Sequence, residues 1–157
     1  MKAPTACLWF DNQAEEAANF YVSLFDDSRI TNVSRYGDTG PDAPGQALMV
    51  DFELGGRPFN ALNGGPVYTF TEAVSFIIDC EDQAQLDRYW EQLSDGGEEG
   101  QCGWLKDKYG LSWQLVPTVL GSLMGGPDAE GSGRAMAALM TMKKLDIAAL
   151  QAAYDGV

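Results

Sequence analysis

The chain has 157 residues, is 45% apolar and carries 17 aromatic residues, enough to fill one compact core or two small half-domains. Its net charge of −13 repels phosphate backbones and argues against a nucleic-acid partner. It contains no histidine, which removes imidazole bases, Ser-His-Asp and Cys-His machinery, and imidazole metal ligands together.

The first element is "TACLWF" (5–10), a short apolar run with β-favouring aromatics, read as a strand. The single Lys and short apolar run before Asp11 do not match a signal peptide, so a cytoplasmic protein is expected. Ala17, Phe20, Tyr21, Leu24 and Phe25 recur at helical spacing, predicting a helix over 13–26, with Asn12 and Glu15 spaced as a capping box. Residues 28–37 read as a strand and "DTGPDAPG" (38–45) as a loop. "QALMVDFEL" (46–54) and "RPFNALN" (57–63) read as a hairpin around Gly55-Gly56. "GGPVYTFT" (64–71) is a connector.

The pattern then restarts. "AVSFIIDC" (73–80) reads as a strand. Leu86, Tyr89, Trp90 and Leu93 predict a helix, with Asp82 and Gln85 at cap spacing. "QCGWLKD" and "LSWQLVP" predict a second hairpin around Lys108-Tyr109-Gly110. A shift of 69 lays Phe20-Tyr21 on Tyr89-Trp90, Leu24 on Leu93 and Leu8 on Ile77; a shift of 54 lays Gly56 on Gly110 and Phe59 on Trp113. This is an internal repeat of strand, helix and strand hairpin. "GGPDAEGSG" (125–133) reads as a flexible loop, followed by helices in "RAMAALMTMKK" and "DIAALQAAY", the latter capped by Asp146. The Met stripe reads as packing or a subunit contact. Cys7, Cys80 and Cys102, without C-x-x-C spacing, read as reduced thiols.

"LWFDNQAEEAANFYVSLFDDSRI", "FNALNGGP", "EAVSFIID", "CGWLKDKYGLSWQLVP" and the tail "MTMKKLDIAALQAAY" together resemble the PhnB-like branch of the glyoxalase/bleomycin-resistance, or vicinal-oxygen-chelate, superfamily. The resemblance implies an α+β fold. Two βαβββ repeats would form a cupped mixed sheet, followed by a C-terminal helical tail. The units would be residues 1–71, a shortened second unit at 72–120, and an extension at 121–157. It also implies a ligand in the cup and a homodimer.

The superfamily's metal ligands are His, Gln or Glu on the first and last strands of each unit. Carried over, they fall at Ala6 or Pro4, at Asn60 or Asn63, at Ala73 or Ser75, and at Gln114. Asn60 and Asn63 have opposite parity, so a regular strand turns only one of them into the cup. Neutral amides are weak ligands for a divalent ion, so neither a metal nor any other cofactor is expected.

On that alignment Ala6, Leu8 and Phe10 line the cup from strand one, Ala73, Ser75 and Ile77 from strand five, and Ser112, Gln114 and Val116 from strand eight, joined by Trp104 and Lys106. The candidate ligand-binding residues are Phe10, Asn60, Asn63, Ser75, Trp104, Lys106 and Gln114, with no catalytic residue assigned. Each has a plainer reading. Trp104 and Trp113 suit packing, Lys106 suits a solvated pair with Asp107, and Ser75 and Gln114 suit a bond to each other. Trp113, opposite in parity to Gln114, is left out. Three functions remain open: a metal-independent small-molecule binder, an enzyme using the same cup, and an interaction module docking through its tail. The branch also carries the label 3-demethylubiquinone-9 3-methyltransferase. No G-x-G-x-x-G is present to support nucleotide-dependent methyl transfer, and no membrane partner is expected.

Overall fold

The computed structural model describes residues 3–38 and 44–157; most of the loop expected at 38–45 therefore lies outside the described residues. The chain divides into two compact units, Met1–Thr69 and Phe70–Val157. The fold is α+β, with two four-strand mixed sheets in βαβββ-like units and C-terminal helices.

In the first unit, strand β1 (Ala6–Phe10) leads into helix α1 (Ala14–Leu24) and then β2 (Arg29–Arg35), β3 (Ala47–Leu54) and β4 (Arg57–Asn63). The sheet order is β1-β4-β3-β2. Strand β4 runs parallel to β1 and antiparallel to β3. Alternation puts Phe59, Ala61 and Asn63 on one face of β4, beside Ala6, Leu8 and Phe10 of β1 and Phe52 and Val50 of β3. That face is buried under α1: Tyr21 is fully buried and stacks on Phe52, which stacks on Phe59.

The second unit repeats the plan with β5 (Ser75–Cys80), α2 (Gln83–Ser94), β6 (Glu98–Glu99), β7 (Trp104–Lys106) and β8 (Ser112–Pro117), in the order β5-β8-β7-β6. Strand β8 is parallel to β5 and antiparallel to β7. Phe76, Ile78 and Cys80 share a face with Trp113, Leu115 and Pro117, packed against Leu86, Tyr89, Trp90 and Leu93 of α2. The opposite, far face carries Ser75, Ile77, Ser112, Gln114, Trp104 and Lys106.

Two local expectations are corrected. Helix α1 has no capping box: its N-cap is Gln13, whose side chain makes no cap bond. Asn63 does the work across 49 residues, its Oδ1 accepting the Ala14 N–H at 2.8 Å. Helix α2 does carry a local cap, with the Gln85 N–H donating to Asp82 Oδ1 at 2.8 Å.

The tail is more helical than its glycines suggest. Helix α3 (Leu120–Met124) precedes α4 (Ala129–Leu139), so residues 129–133 are helix rather than loop, started by Asp128, whose Oδ1 accepts the Glu130 N–H. Gly131 fits there because a Cβ would meet the Tyr154 carbonyl of α5 (Ile147–Asp155). Between α4 and α5 the chain docks on its own unit. Cys102 and Gly103 donate backbone N–H bonds to the Met142 and Lys143 carbonyls, and Leu145 is 1% exposed. Gly103 takes φ +83 and packs against Leu145, a position closed to larger residues. No helix among the described residues is long and apolar enough to cross a membrane.

Candidate functional site

The far face of the second sheet gathers four of the sequence-predicted residues. Strand register sets Ile77 beside Gln114 and Gln114 beside Trp104, with Ser75, Ser112 and Lys106 forming the next row. The Gln114 Nε2 donates to Ser75 Oγ at 2.8 Å, a cross-strand pair between β8 and β5. Ile77 is 61% exposed beside that pair.

Lys106 does not pair with Asp107. Alternation sends the two side chains to opposite faces. Asp107 is buried, accepting bonds from the Tyr109 and Leu111 N–H groups and from Trp113 Nε1. Lys106 Nζ instead meets the carboxylate of Glu72, from the segment before β5, with Glu98 of β6 at 4.0 Å. The hydrogen bond from Lys106 holds the Glu72 carboxyl below its usual range, and the same bond raises Lys106. Lys106 is therefore a firm cation at neutral pH.

A cavity of about 150 Å³ opens here, lined by Glu72, Glu98, Gly100, Trp104, Leu105, Lys106 and Ser112. Ser112 is 1% exposed, and its hydroxyl has no hydrogen-bond partner among the described residues. A buried polar group without a partner is uncommon and costly. Glu72 and Glu98 escaped sequence reasoning because neither belongs to a motif; the strand register alone brings Glu98 beside Lys106.

The remaining candidates lie in the first unit. Phe10 and Asn63 are on the α1-covered face, where they are 3% and 2% exposed. Asn63 is bound on both sides, accepting from Ala14 and donating from Nδ2 to the Ala47 carbonyl at 2.9 Å. Asn60 is on the far face with Cys7 and Trp9, its Nδ2 hydrogen-bonded to Asp51 Oδ1. The expected facing of Ala6, Leu8 and Phe10 is thus reversed, since their β4 neighbours Phe59, Ala61 and Asn63 belong to the helix side. Trp9 has the outer position, its Nε1 donating to the Gly65 carbonyl and its ring set edge-on to Tyr68. A Cβ on Gly64 would overlap the Trp9 indole, which explains the glycine in "NGG".

The far faces of the first and last strands carry Cys7, Trp9, Asn60 and Leu62 in one unit, and Ser75, Ile77, Asp79, Ser112, Gln114 and Val116 in the other. Asn60 and Gln114 are already engaged with Asp51 and Ser75. Among the described residues no three His, Cys, Asp or Glu side chains converge. The donors on neither unit's far face fit a divalent metal. Cys80 is no nucleophile either: burial, with Asp79 and Asp82 nearby, pushes its thiol up to about 11.

The family model described as 3-demethylubiquinone-9 3-methyltransferase matches residues 2–116. A Bacillus cereus structure, described as a putative 3-demethylubiquinone-9 3-methyltransferase, PhnB protein, is 36% identical over 74% of this chain and 100% of its own, with a TM-score of 0.70. The chain belongs to the PhnB family. The match to the PhnB-family model stops at residue 116, so α3, α4 and α5 fall outside it. A Pseudomonas aeruginosa protein (16% identity, 74% of this chain and 98% of that one, TM-score 0.62) shares the fold. So does the fosfomycin resistance protein FosX of Listeria monocytogenes (13% identity, 77% and 94%, TM-score 0.56). No curated protein matches this chain.

Proposed function

We propose that this PhnB-family chain binds a small molecule on the far face of its second sheet, without a classical metal. The observation that carries the reading is the set of polar and aromatic groups aligned there: the Ser75–Gln114 pair, Trp104, the Lys106–Glu72 ion pair and the unpartnered Ser112 hydroxyl beside a cavity. A few oriented polar groups on an apolar floor are what small-ligand recognition uses. Lys106, held protonated by Glu72, favours a binding group over a general base, so no proton-transfer step is assigned. Three unpaired cysteines support a reducing, cytoplasmic compartment. The charge of −13 supports a chain without a nucleic-acid partner, and the family resemblance supports a homodimer, to be tested by light scattering.

Native mass spectrometry of gently purified protein tests the binding reading. The expected result is a retained small molecule whose occupancy falls in Gln114→Leu, with an unchanged circular dichroism spectrum. Equal occupancy in the variant, or a ligand that protects only residues outside this face, would remove the claim.

The family description names a methyltransferase, which is a second reading. The strand-to-helix turns here, Asp11-Asn12-Gln13 and Glu81-Asp82, lack the glycines that let a nucleotide approach a helix N-terminus. Saturable micromolar binding of S-adenosylmethionine by calorimetry would restore methyl transfer; no heat is expected.

A further inference from the structure

The cavity at Ser112 points to a ligand class, an inference that rests on the binding reading above. Ser112, Lys106 and Glu98 are direct partners on three neighbouring strands and share one face. Two strand spacings separate Ser112 from Glu98, about 10 Å between backbones. Lys106, between them, is already engaged by Glu72. Trp104 and Ser112 both line the cavity, and the Ser112 hydroxyl is buried without a partner among the described residues. Two carboxylates and one ammonium leave this rim negative, on a chain of net charge −13. An anionic ligand would have to displace Glu72 from Lys106 and enter a negative field. A cation meets Glu98, which is 78% exposed and touches Lys106 only at 4.0 Å.

We infer that the cavity over Ser112 is a subsite for a small aromatic amine. The ring lies against Trp104, a hydroxyl or similar polar atom bonds the Ser112 hydroxyl, and the ammonium meets the Glu98 carboxylate. A cavity of about 150 Å³ takes a single ring with short substituents.

The probes are 4-hydroxybenzylamine, 4-hydroxybenzyl alcohol and 4-hydroxybenzoate, matched in shape and differing in charge. Each is titrated into full-length, nitrogen-15-labelled protein and followed through the Trp104 and Ser112 signals. The amine should bind most tightly, and Glu98→Gln should weaken it about fivefold, the upper range for an exposed ion pair. Ser112→Ala should lower affinity for 4-hydroxybenzylamine, but not for benzylamine, and should leave the melting temperature unchanged or raised, because it removes an unsatisfied buried hydroxyl. 4-Hydroxybenzoate binding as tightly as the amine at these signals would overturn the amine assignment while leaving the binding reading intact. A melting temperature lowered by Ser112→Ala would show that the hydroxyl is structurally bonded and overturn the subsite. If no probe moves Trp104 or Ser112 while a retained ligand still contacts Gln114, the subsite alone falls. A protein that retains no ligand and responds to none of the probes at any residue of this face would defeat both.

Discussion

Asn63 and Gln114 lie on equivalent strands of two units with one topology, yet Asn63 is buried beneath a helix and Gln114 faces away from one. In the first unit the polar residue of β4 replaces a missing helix cap. In the second, Asp82 caps α2 locally, and the amide of β8 is left to bond a serine on the far face. The strands differ as well. β2 and β3 run 7 and 8 residues, whereas β6 and β7 run 2 and 3. The short hairpin leaves room for residues 142–145 to dock beside it through backbone bonds and Leu145. One architecture therefore serves two ends: helix anchorage in the first unit, and a partly exposed polar face beside a C-terminal brace in the second.

Breaking the brace should have the largest effect. Leu145→Ala removes a side chain 1% exposed and should destabilise by roughly 2–5 kcal/mol in urea unfolding, the range for buried leucine truncation. A loss below about 1 kcal/mol would mean that the second unit does not depend on its tail.

Asn63→Ala comes next. It deprives the Ala14 N–H and the Ala47 carbonyl of buried partners, so a cost of about 2–3 kcal/mol is expected from the same measurement. Asp82→Ala, the local counterpart in the second unit, should cost about 1 kcal/mol. Equal losses would erase the contrast between a long-range and a local cap.

Gln114→Ala should change stability least, by about 0.5 kcal/mol or less, because its partner Ser75 is also partly exposed and remains accessible to water. The Glu72–Lys106 pair gives a pH signature instead. Glu72 has a lowered folded pKa, so its contribution is present above the unfolded value and is lost as pH falls through the folded one. In carbon-13 titrations, Lys106→Met should raise the Glu72 midpoint; an unmoved midpoint would break the assigned pair.

Much of this contrast was legible in the residues. The repeat, the order of elements and the Asp82 cap follow from apolar spacing and short polar signals. The grouping of Ser75, Trp104, Lys106 and Gln114 follows from the strand faces that the family resemblance implies, which the register of β5, β7 and β8 reproduces. The facing of β1 was not legible. Leu8 was laid on Ile77, but burial pairs it with Ile78, and one residue reverses every side chain on a strand. Phe10 thereby joins the core. Glu72 and Asn63 act through partners 34 and 49 residues away, which no local pattern encodes. The α4 start hid behind Gly131 and Gly133; Gly131 packs closely against the Tyr154 carbonyl of α5, a tertiary effect, while Gly133 faces open space.

Recognition of a small molecule by the far face of the second sheet can be observed residue by residue. The most direct measurement is a nitrogen-15 spectrum of the full chain, recorded before and after its retained small molecule is removed and added back. Reversible shifts concentrated at Ser75, Trp104, Lys106, Ser112 and Gln114 are expected. Shifts confined to other surfaces, with these five signals unmoved at saturation, would contradict it.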